Sequence, residues 1–339
     1  MLFQPYILKA RISAATSGKK DSSDARIPIF NTTKGLGILV LLLILCILDS
    51  RAVNAQSPDT TISRATSLAR FQDARALAVD ARGQLYVVDA GTDKIYRLNS
   101  EGRVLNQLGG RGSGNYQFDE PVDIDPTNGL DIFVADSGNN RVQHFSSELR
   151  FLDTRDLQFE TNTSAQIAGY YSTNADYSNK LIISDGTPMA ISANVAKEIF
   201  AIDQSHSFIV KWDAEKRVER QFARFDAGDA AVLDGVSMVS APNGHVFIAD
   251  RGRGAIMEYD HNGNYIRRMG SGQLKQLNAV SLFGDRIMAV MSNKMAVYDS
   301  EGKLLFTYGF NFGENVMDVV YAHRNLYVLT STKLMRFRP

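Results

Sequence analysis

The sequence predicts an all-β ring of six repeated units, each a four-stranded antiparallel sheet, and three observations carry that prediction. Short apolar runs recur along the chain, bounded by Gly, Asn and Asp turns, and no 3.6-residue periodicity of helical length competes with them. Six of these runs end at equivalent positions: Asp89, Asp136, Asp203, Asp250, Met291 and Thr330. The intervals are 47, 67, 47, 41 and 39 residues, and four of the five have the spacing of one β-propeller blade. Each run also sits in the same grammar of strand, tight turn, strand, turn, strand. The clearest copy is residues 121–145, PVDIDPTNGLDIFVADSGNNRVQHF.

Each unit opens with a short strand: ALAV (76–79), PVDI (121–124), PMAI (188–191), GVSMV (235–239), NAVSL (278–282) and MDVV (317–320). Turns such as DARGQ (80–84), PTNGL (126–130) and APNGH (241–245) follow, where Gly supplies the positive φ that a tight hairpin needs. After the second strand comes a third: KIYRL (94–98), RVQHF (141–145), FIVKW (208–212), AIMEY (255–259), MAVYD (295–299) and KLMRF (333–337). A further turn leads to a fourth strand, as in SEGRVLNQLG (100–109) and HNGNYIRRMG (261–270). The sixth unit ends without a fourth strand. Residues 60–71, left over before the first unit, are expected to supply it and so close the ring, removing an open sheet edge.

The expected organisation is therefore a lead of residues 1–55, a lead-in and ring-closing strand over 56–72, and the propeller over 73–339 with an insertion at about 154–185. The lead carries Lys9, Arg11, Lys19, Lys20, Arg26 and Lys34, then an uncharged run of 14 residues at 35–48, then small residues at Val53 and Ala55. Basic flank, short apolar core and small residues are the parts of a secretory signal peptide, and the run is short of a spanning helix. The expectation is an exported protein, periplasmic, cell-surface or extracellular; an uncleaved N-terminal anchor is the alternative. Cys46, the single cysteine, lies inside the run, so the exported chain has neither disulfide nor thiolate chemistry. Ile44 and Leu45 before it argue against lipidation. Beyond Ala55 the chain holds 30 Lys+Arg against 34 Asp+Glu, a mildly acidic balance that argues against nucleic acid as a partner.

Val134-Ala135-Asp136-Ser137-Gly138-Asn139-Asn140-Arg141-Val142 resembles the core of the NHL repeat, and Gln117-Phe118-Asp119-Glu120-Pro121 resembles its lead-in. Units one and four follow the pattern more loosely; units five and six have lost the Asp and shortened the turn. The resemblance implies a six-bladed NHL-type propeller over about residues 60–339. It also implies two further possibilities. Some NHL propellers bind RNA through arginine strips, and Arg111, Arg141, Arg251 and Arg253 are the residues that could form one. Some enzymes of similar fold, peptide-amidating lyases and lactonases, hold a metal near the ring axis, but no matching ligand set is present here.

Strand direction places the second-to-third turns and the connections between units on one face of the ring. That face is expected to collect Asp89–Asp93, Asp136–Arg141, Asp203–Ser207, Asp250–Gly254, the segment 109–120 and the insertion. Within the insertion, Tyr170, Tyr171 and Tyr177 lie among small polar residues, a composition common at adaptable binding surfaces. The Asp ending each second strand is read as a turn holder, because Asp at the head of a tight turn accepts backbone N–H bonds. A calcium or other divalent site drawing on Asp93 and Asp136 has no supporting ligand spacing, and no cofactor is expected. The five histidines form no metal-ligand pair, and His206 is the one on the candidate face. The expected function is a binding platform for a protein, peptide or glycan, acting as a monomer. Tyr116, Asp136, Asn140, Arg141, Tyr170, Tyr171, His206 and Arg251 are its candidate contributors. The alternative is a metal-dependent lyase or hydrolase with its site at the axis.

Overall fold

The computed structural model describes residues 60–62, 64–126, 129–162 and 181–338, all within one compact unit. The N-terminal lead, with its signal or anchor segment, lies outside the described residues. Two strands precede the first blade, β1 (Thr60–Ile62) and β2 (Thr66–Arg70). Blade one is β3 (Ala74–Val79), β4 (Leu85–Asp89), β5 (Lys94–Leu98) and β6 (Val104–Gly109). Blade two is β7 (Pro121–Asp125), β8 (Asp131–Asp136), β9 (Arg141–Ser146) and β10 (Phe151–Asp156). A separate antiparallel hairpin follows, β11 (Gln158–Asn162) and β12 (Leu181–Asp185).

Blade three is β13 (Pro188–Ala193), β14 (Ile199–Asp203), β15 (Phe208–Trp212) and β16 (Val218–Phe222). Blade four is β17 (Gly235–Ser240), β18 (Val246–Asp250), β19 (Ala255–Tyr259) and β20 (Tyr265–Met269). Blade five is β21 (Leu277–Phe283), β22 (Arg286–Met291), β23 (Lys294–Tyr298) and β24 (Leu304–Phe310). Blade six is β25 (Val316–Ala322), β26 (Asn325–Thr330), β27 (Lys333–Phe337) and, as its fourth strand, β2 from the N-terminal side.

The expected six-bladed propeller is thus present, and the ring closes as the leftover strand suggested. Strand β2 pairs antiparallel with β27, Thr66 opposite Arg336 and Arg70 opposite Lys333. The lead-in does a second thing the sequence did not announce: β1 adds to blade five as a fifth strand, parallel to β24, with Ile62 opposite Phe310. Both outer edges beside the closure are therefore covered.

The burial pattern explains why the second strands read as unbroken apolar runs. Each lies between neighbouring blades on both faces, so β4, β14 and β18 are buried at every position, whereas the outermost β6 is largely exposed. The core is six apolar clusters, one at each junction between blades. The cluster at the closing junction joins Leu77, Val87 and Leu98 of blade one to Val320, Tyr327 and Leu329 of blade six. Turns at the end of the ring where β3 meets β4 are held by Asx hydrogen bonds. Asp80 accepts from the N–H groups of Arg82 and Gln84 at 2.9 and 2.8 Å, and Gly83 takes φ +77°.

A chain starting at residue 72 lacks β1 and β2, leaving the edges of β24 and β27 open. It is expected to unfold at a lower urea midpoint and to self-associate with rising concentration in gel filtration. A monomer with an unchanged midpoint would show that the ring closes without them.

Candidate functional site

The second-to-third turns and the interblade segments share one end of the ring, here called the upper face, and a buried carboxylate joins them. Asp136 is fully buried. It accepts the backbone N–H of Asp119 at 2.8 Å, the Arg141 Nε–H at 2.8 Å, and carboxamide N–H groups of Asn139 and Gln143. Asp89 accepts from the N–H of Gln72 and Asp73, Asp203 from Thr187, and Asp250 from Leu233 and Asp234. Each bond runs back 16 or 17 residues, from the end of a second strand to the segment leading into the first strand of the same blade. The Asp does hold a turn, as expected, but its main partner is the interblade segment. Gly138 shows how close the two approach. Its N–H donates to the Asp119 carbonyl at 2.8 Å, and a Cβ there would lie 2.7 Å from that oxygen.

The candidate contributors are placed unevenly. Arg141 turns inward, bonding Asp136 and the carbonyls of Ser113, Gly114 and Gln117. Asp136 and Arg141 are thus an internal pair and present no free surface. Tyr116 is half exposed, packs on Phe145 and Phe151, and accepts the Phe151 N–H at its hydroxyl. His206 stacks on Phe208 and pairs through Nδ1 with Asp203 at 2.6 Å. Arg251 is half exposed and bonded to Asp234. Tyr170 and Tyr171 lie outside the described residues.

Asn140 belongs to the root of the hairpin β11–β12. It sits in the left-handed region at φ 54°, its carbonyl accepts the Leu157 N–H at 3.1 Å, and its Oδ1 accepts the Thr187 hydroxyl at 3.3 Å. Leu157 and Thr187 flank the hairpin. The insertion is therefore rooted on the upper face, beside the second-to-third turn of blade two.

The structure also assembles a group that sequence reasoning missed. The six innermost strands enclose an axial cavity of about 300 Å³, lined by Leu77, Ile124, Ile191 and Val280 together with Asp123 and Asp318. An innermost strand has no neighbour on its inner edge, so its N–H groups there need another partner. The third residues of these strands read Ala76, Asp123, Ala190, Ser237, Ala279 and Asp318. In the even-numbered blades, that residue takes the N–H of the next blade: Asp123 from Ile191 at 2.9 Å, Ser237 from Val280 at 3.2 Å, Asp318 from Leu77 at 2.9 Å. Asp123 and Asp318 also accept their own neighbours' N–H, from Ile124 and Val319. A second tier repeats the idea, Asp125 accepting from Ala193 at 2.7 Å. Burial pushes the Asp318 carboxyl up to about 7 and Asp123 well above the ordinary range, where the nearby charges of Asp318 and Asp125 add to the effect.

Among the described residues, no three His, Cys, Asp or Glu side chains are grouped to hold a metal ion. Asp93, weighed for a calcium site, is engaged with the Glu120 N–H. No described helix is long and apolar enough to cross a membrane.

Residues 118–145, nearly all of blade two and its lead-in, match the profile of the NHL repeat. The chain is a six-bladed propeller whose second blade matches the NHL repeat. Among solved structures, this propeller is similar to a virginiamycin B lyase from Staphylococcus aureus at 10% identity and a TM-score of 0.54, covering 78% of this chain and 80% of that one. A streptogramin B lyase aligns at 10% identity and a TM-score of 0.52, covering 80% and 96%. A protein of unknown function from Desulfotomaculum acetoxidans aligns at 13% identity and a TM-score of 0.50, covering 75% and 74%. At such identities the likeness is one of fold. No curated protein sequence matches the chain.

The NHL signature and the carboxylate tie are the same residues. Blade two, which matches, has Asp136, Gly138, Asn139 and Arg141 all engaged in the tie. Blade six replaces the Asp by Thr330, and the carboxylate comes instead from the interblade segment, as Glu314. A signal for the channel acids was present in the repeat: VDI and MDV place Asp where ALAV and PMAI have Ala.

Asp136→Ala leaves the largely shielded Arg141 without its counter-charge and is expected to cost about 3–5 kcal/mol in urea unfolding. A loss under about 1 kcal/mol, the range of an exposed ion pair, would show that the tie is dispensable. Asp318 holds its proton more tightly in the folded than in the unfolded chain. The stability it contributes is complete below the ordinary carboxylate range near pH 4 and is lost as pH rises through about 7. Asp318→Ser, which copies the Ser237 arrangement, is expected to gain stability over the parent at pH 8 and to lose that advantage at pH 5. An equal difference at both pH values would show that Asp318 ionises like an exposed carboxylate.

Proposed function

We propose that this propeller is an exported binding platform that engages a protein, peptide or glycan partner on its upper face, around hairpin β11–β12. The observation that carries the reading is the root of that hairpin. Among the described residues it forms a two-stranded sheet apart from the six blades, and it is anchored by Asn140, Leu157 and Thr187 beside the best-preserved blade. A segment that adds nothing to the ring is retained on a face where rigid turns converge. That is how function is usually grafted onto such scaffolds. The sequence between its strands supplies Tyr170, Tyr171 and Tyr177, aromatic groups that give contact area at low entropic cost. Arg251, half exposed in the second-to-third turn of blade four, extends the surface, while Tyr116 packs along the outer strands of blade two on Phe145 and Phe151.

Replacing residues 163–180 by a short Gly-containing turn is expected to leave the unfolding temperature within about 2 °C of the parent. It is expected to abolish capture of a partner from the extracytoplasmic fraction, whereas Asn262→Ala, on the opposite face, leaves capture intact. Capture that survives the replacement would sink the hairpin reading.

A further inference from the structure

The two blades that have drifted furthest from the repeat leave an open recess on the upper face. In blades one to four the second and third strands are joined by four residues, as Ser137–Asn140 joins β8 to β9. In blades five and six only two residues remain, Ser292 and Asn293 after β22, Ser331 and Thr332 after β26. The rim is lower there, and a recess of about 580 Å³ opens over the junction of blades five and six, within the size range of small-molecule sites.

Its lining is chemically specific. Asn293, Asn311 and Asn315 are exposed, and their carboxamides make no hydrogen bond among the described residues. Two of the three stand on fixed backbone: the Phe310 N–H donates to the Asn293 carbonyl at 2.7 Å, and the Asn311 N–H donates to the Ile62 carbonyl at 3.2 Å. Phe312 lies between them in sequence, partly exposed and stacked on the buried Phe310 at 5.7 Å. Both carboxylates at the recess are already paired. Asp73 is bonded to Arg75, and Glu314 accepts from Thr330, Thr332 and Lys333. Those donors hold the Glu314 carboxyl down to about 2, so its pairing persists across the neutral range. What is left for a ligand is uncharged: three amides, each able to donate and accept, and one aromatic face.

We propose that this recess binds an uncharged polyhydroxylated ligand, a neutral mono- or disaccharide or the terminal sugars of a glycan. The C–H face of a sugar ring lies against the electron-rich face of Phe312, and adjacent hydroxyls bridge the donor and acceptor of one carboxamide. An anion or a cation would find no unpaired counter-charge. A peptide captured by strand addition needs an open sheet edge. The edges that border the recess are closed, β24 by β1 and β27 by β2. The site is separate from the hairpin β11–β12 and stands whether or not the hairpin engages a partner.

Saturation-transfer NMR on the full chain tests this with glucose, galactose, mannose, N-acetylglucosamine, maltose and cellobiose at millimolar concentration, and with the tripeptide Ala-Phe-Ala. Transfer to at least one saccharide is expected. Phe312→Ala should weaken it about tenfold or more, and Asn315→Ala should weaken it measurably. Asn262→Ala and the replacement of 163–180 should leave it unchanged. No transfer to any saccharide overturns the proposal. So does transfer that persists in both Phe312→Ala and Asn315→Ala, or binding of the tripeptide alone.

Discussion

The buried carboxylate at the end of a second strand is the interaction on which this ring depends. A propeller blade is a sheet with two vulnerable places, the turn between its middle strands and the unpaired segment that enters it from the previous blade. One Asp satisfies both. Asp136 takes a backbone N–H from the incoming segment with one oxygen and side-chain donors of its own turn with both, so that the two segments are set against each other. Because the oxygens are shielded from water, each bond is stronger than it would be at the surface, and the loss of any partner is correspondingly costly. The same residues lie in the stretch that matches the NHL repeat, so in this blade the sequence mark and the structural tie coincide.

At the inner edge the chain meets a related problem and answers it with side chains that reach from one blade to the next. Six innermost strands turn unpaired N–H groups toward the axis, and Asp123, Ser237 and Asp318 reach across to the next blade to accept them. The Ala positions between them leave room for that reach. These stitches join blade two to three, four to five and six to one, the last at the closing junction. Ser192, accepting the Ser240 N–H, joins three to four, and Asn278 and Ser281, donating to the Val316 and Val319 carbonyls, join five to six. Two of the stitches, Asp123 and Asp318, are acids lining the axial cavity, where desolvation opposes their charge.

Much of this was legible in the residues because a repeat is its own alignment. The register of six strands, the Gly turns at Gly83, Gly129 and Gly244, and the need for a donated strand all followed from spacing and local turn chemistry. The partner of Asp136 did not. A one-dimensional reading pairs an Asp with the N–H two residues on, whereas the decisive partner is 17 residues back. Arg141 read as a surface group because charged residues usually are; the tie draws it inward. The shortened turns of blades five and six read as erosion, yet in three dimensions the lost residues are a recess.

By itself the sequence determined the architecture: six blades, their strand order, the face on which turns and connections meet, and the source of the closing strand. Those are consequences of period and of nearest-neighbour chemistry, which a linear chain displays directly. Only the tertiary structure decided which polar residues remain available at the surface. Availability depends on what the neighbouring blade supplies, and neighbours in the ring can be the two ends of the chain, as Asp318 and Leu77 are. The same dependence leaves the amides of Asn293, Asn311 and Asn315 unengaged in the structure described, while the more conspicuous Asp136 and Arg141 serve each other.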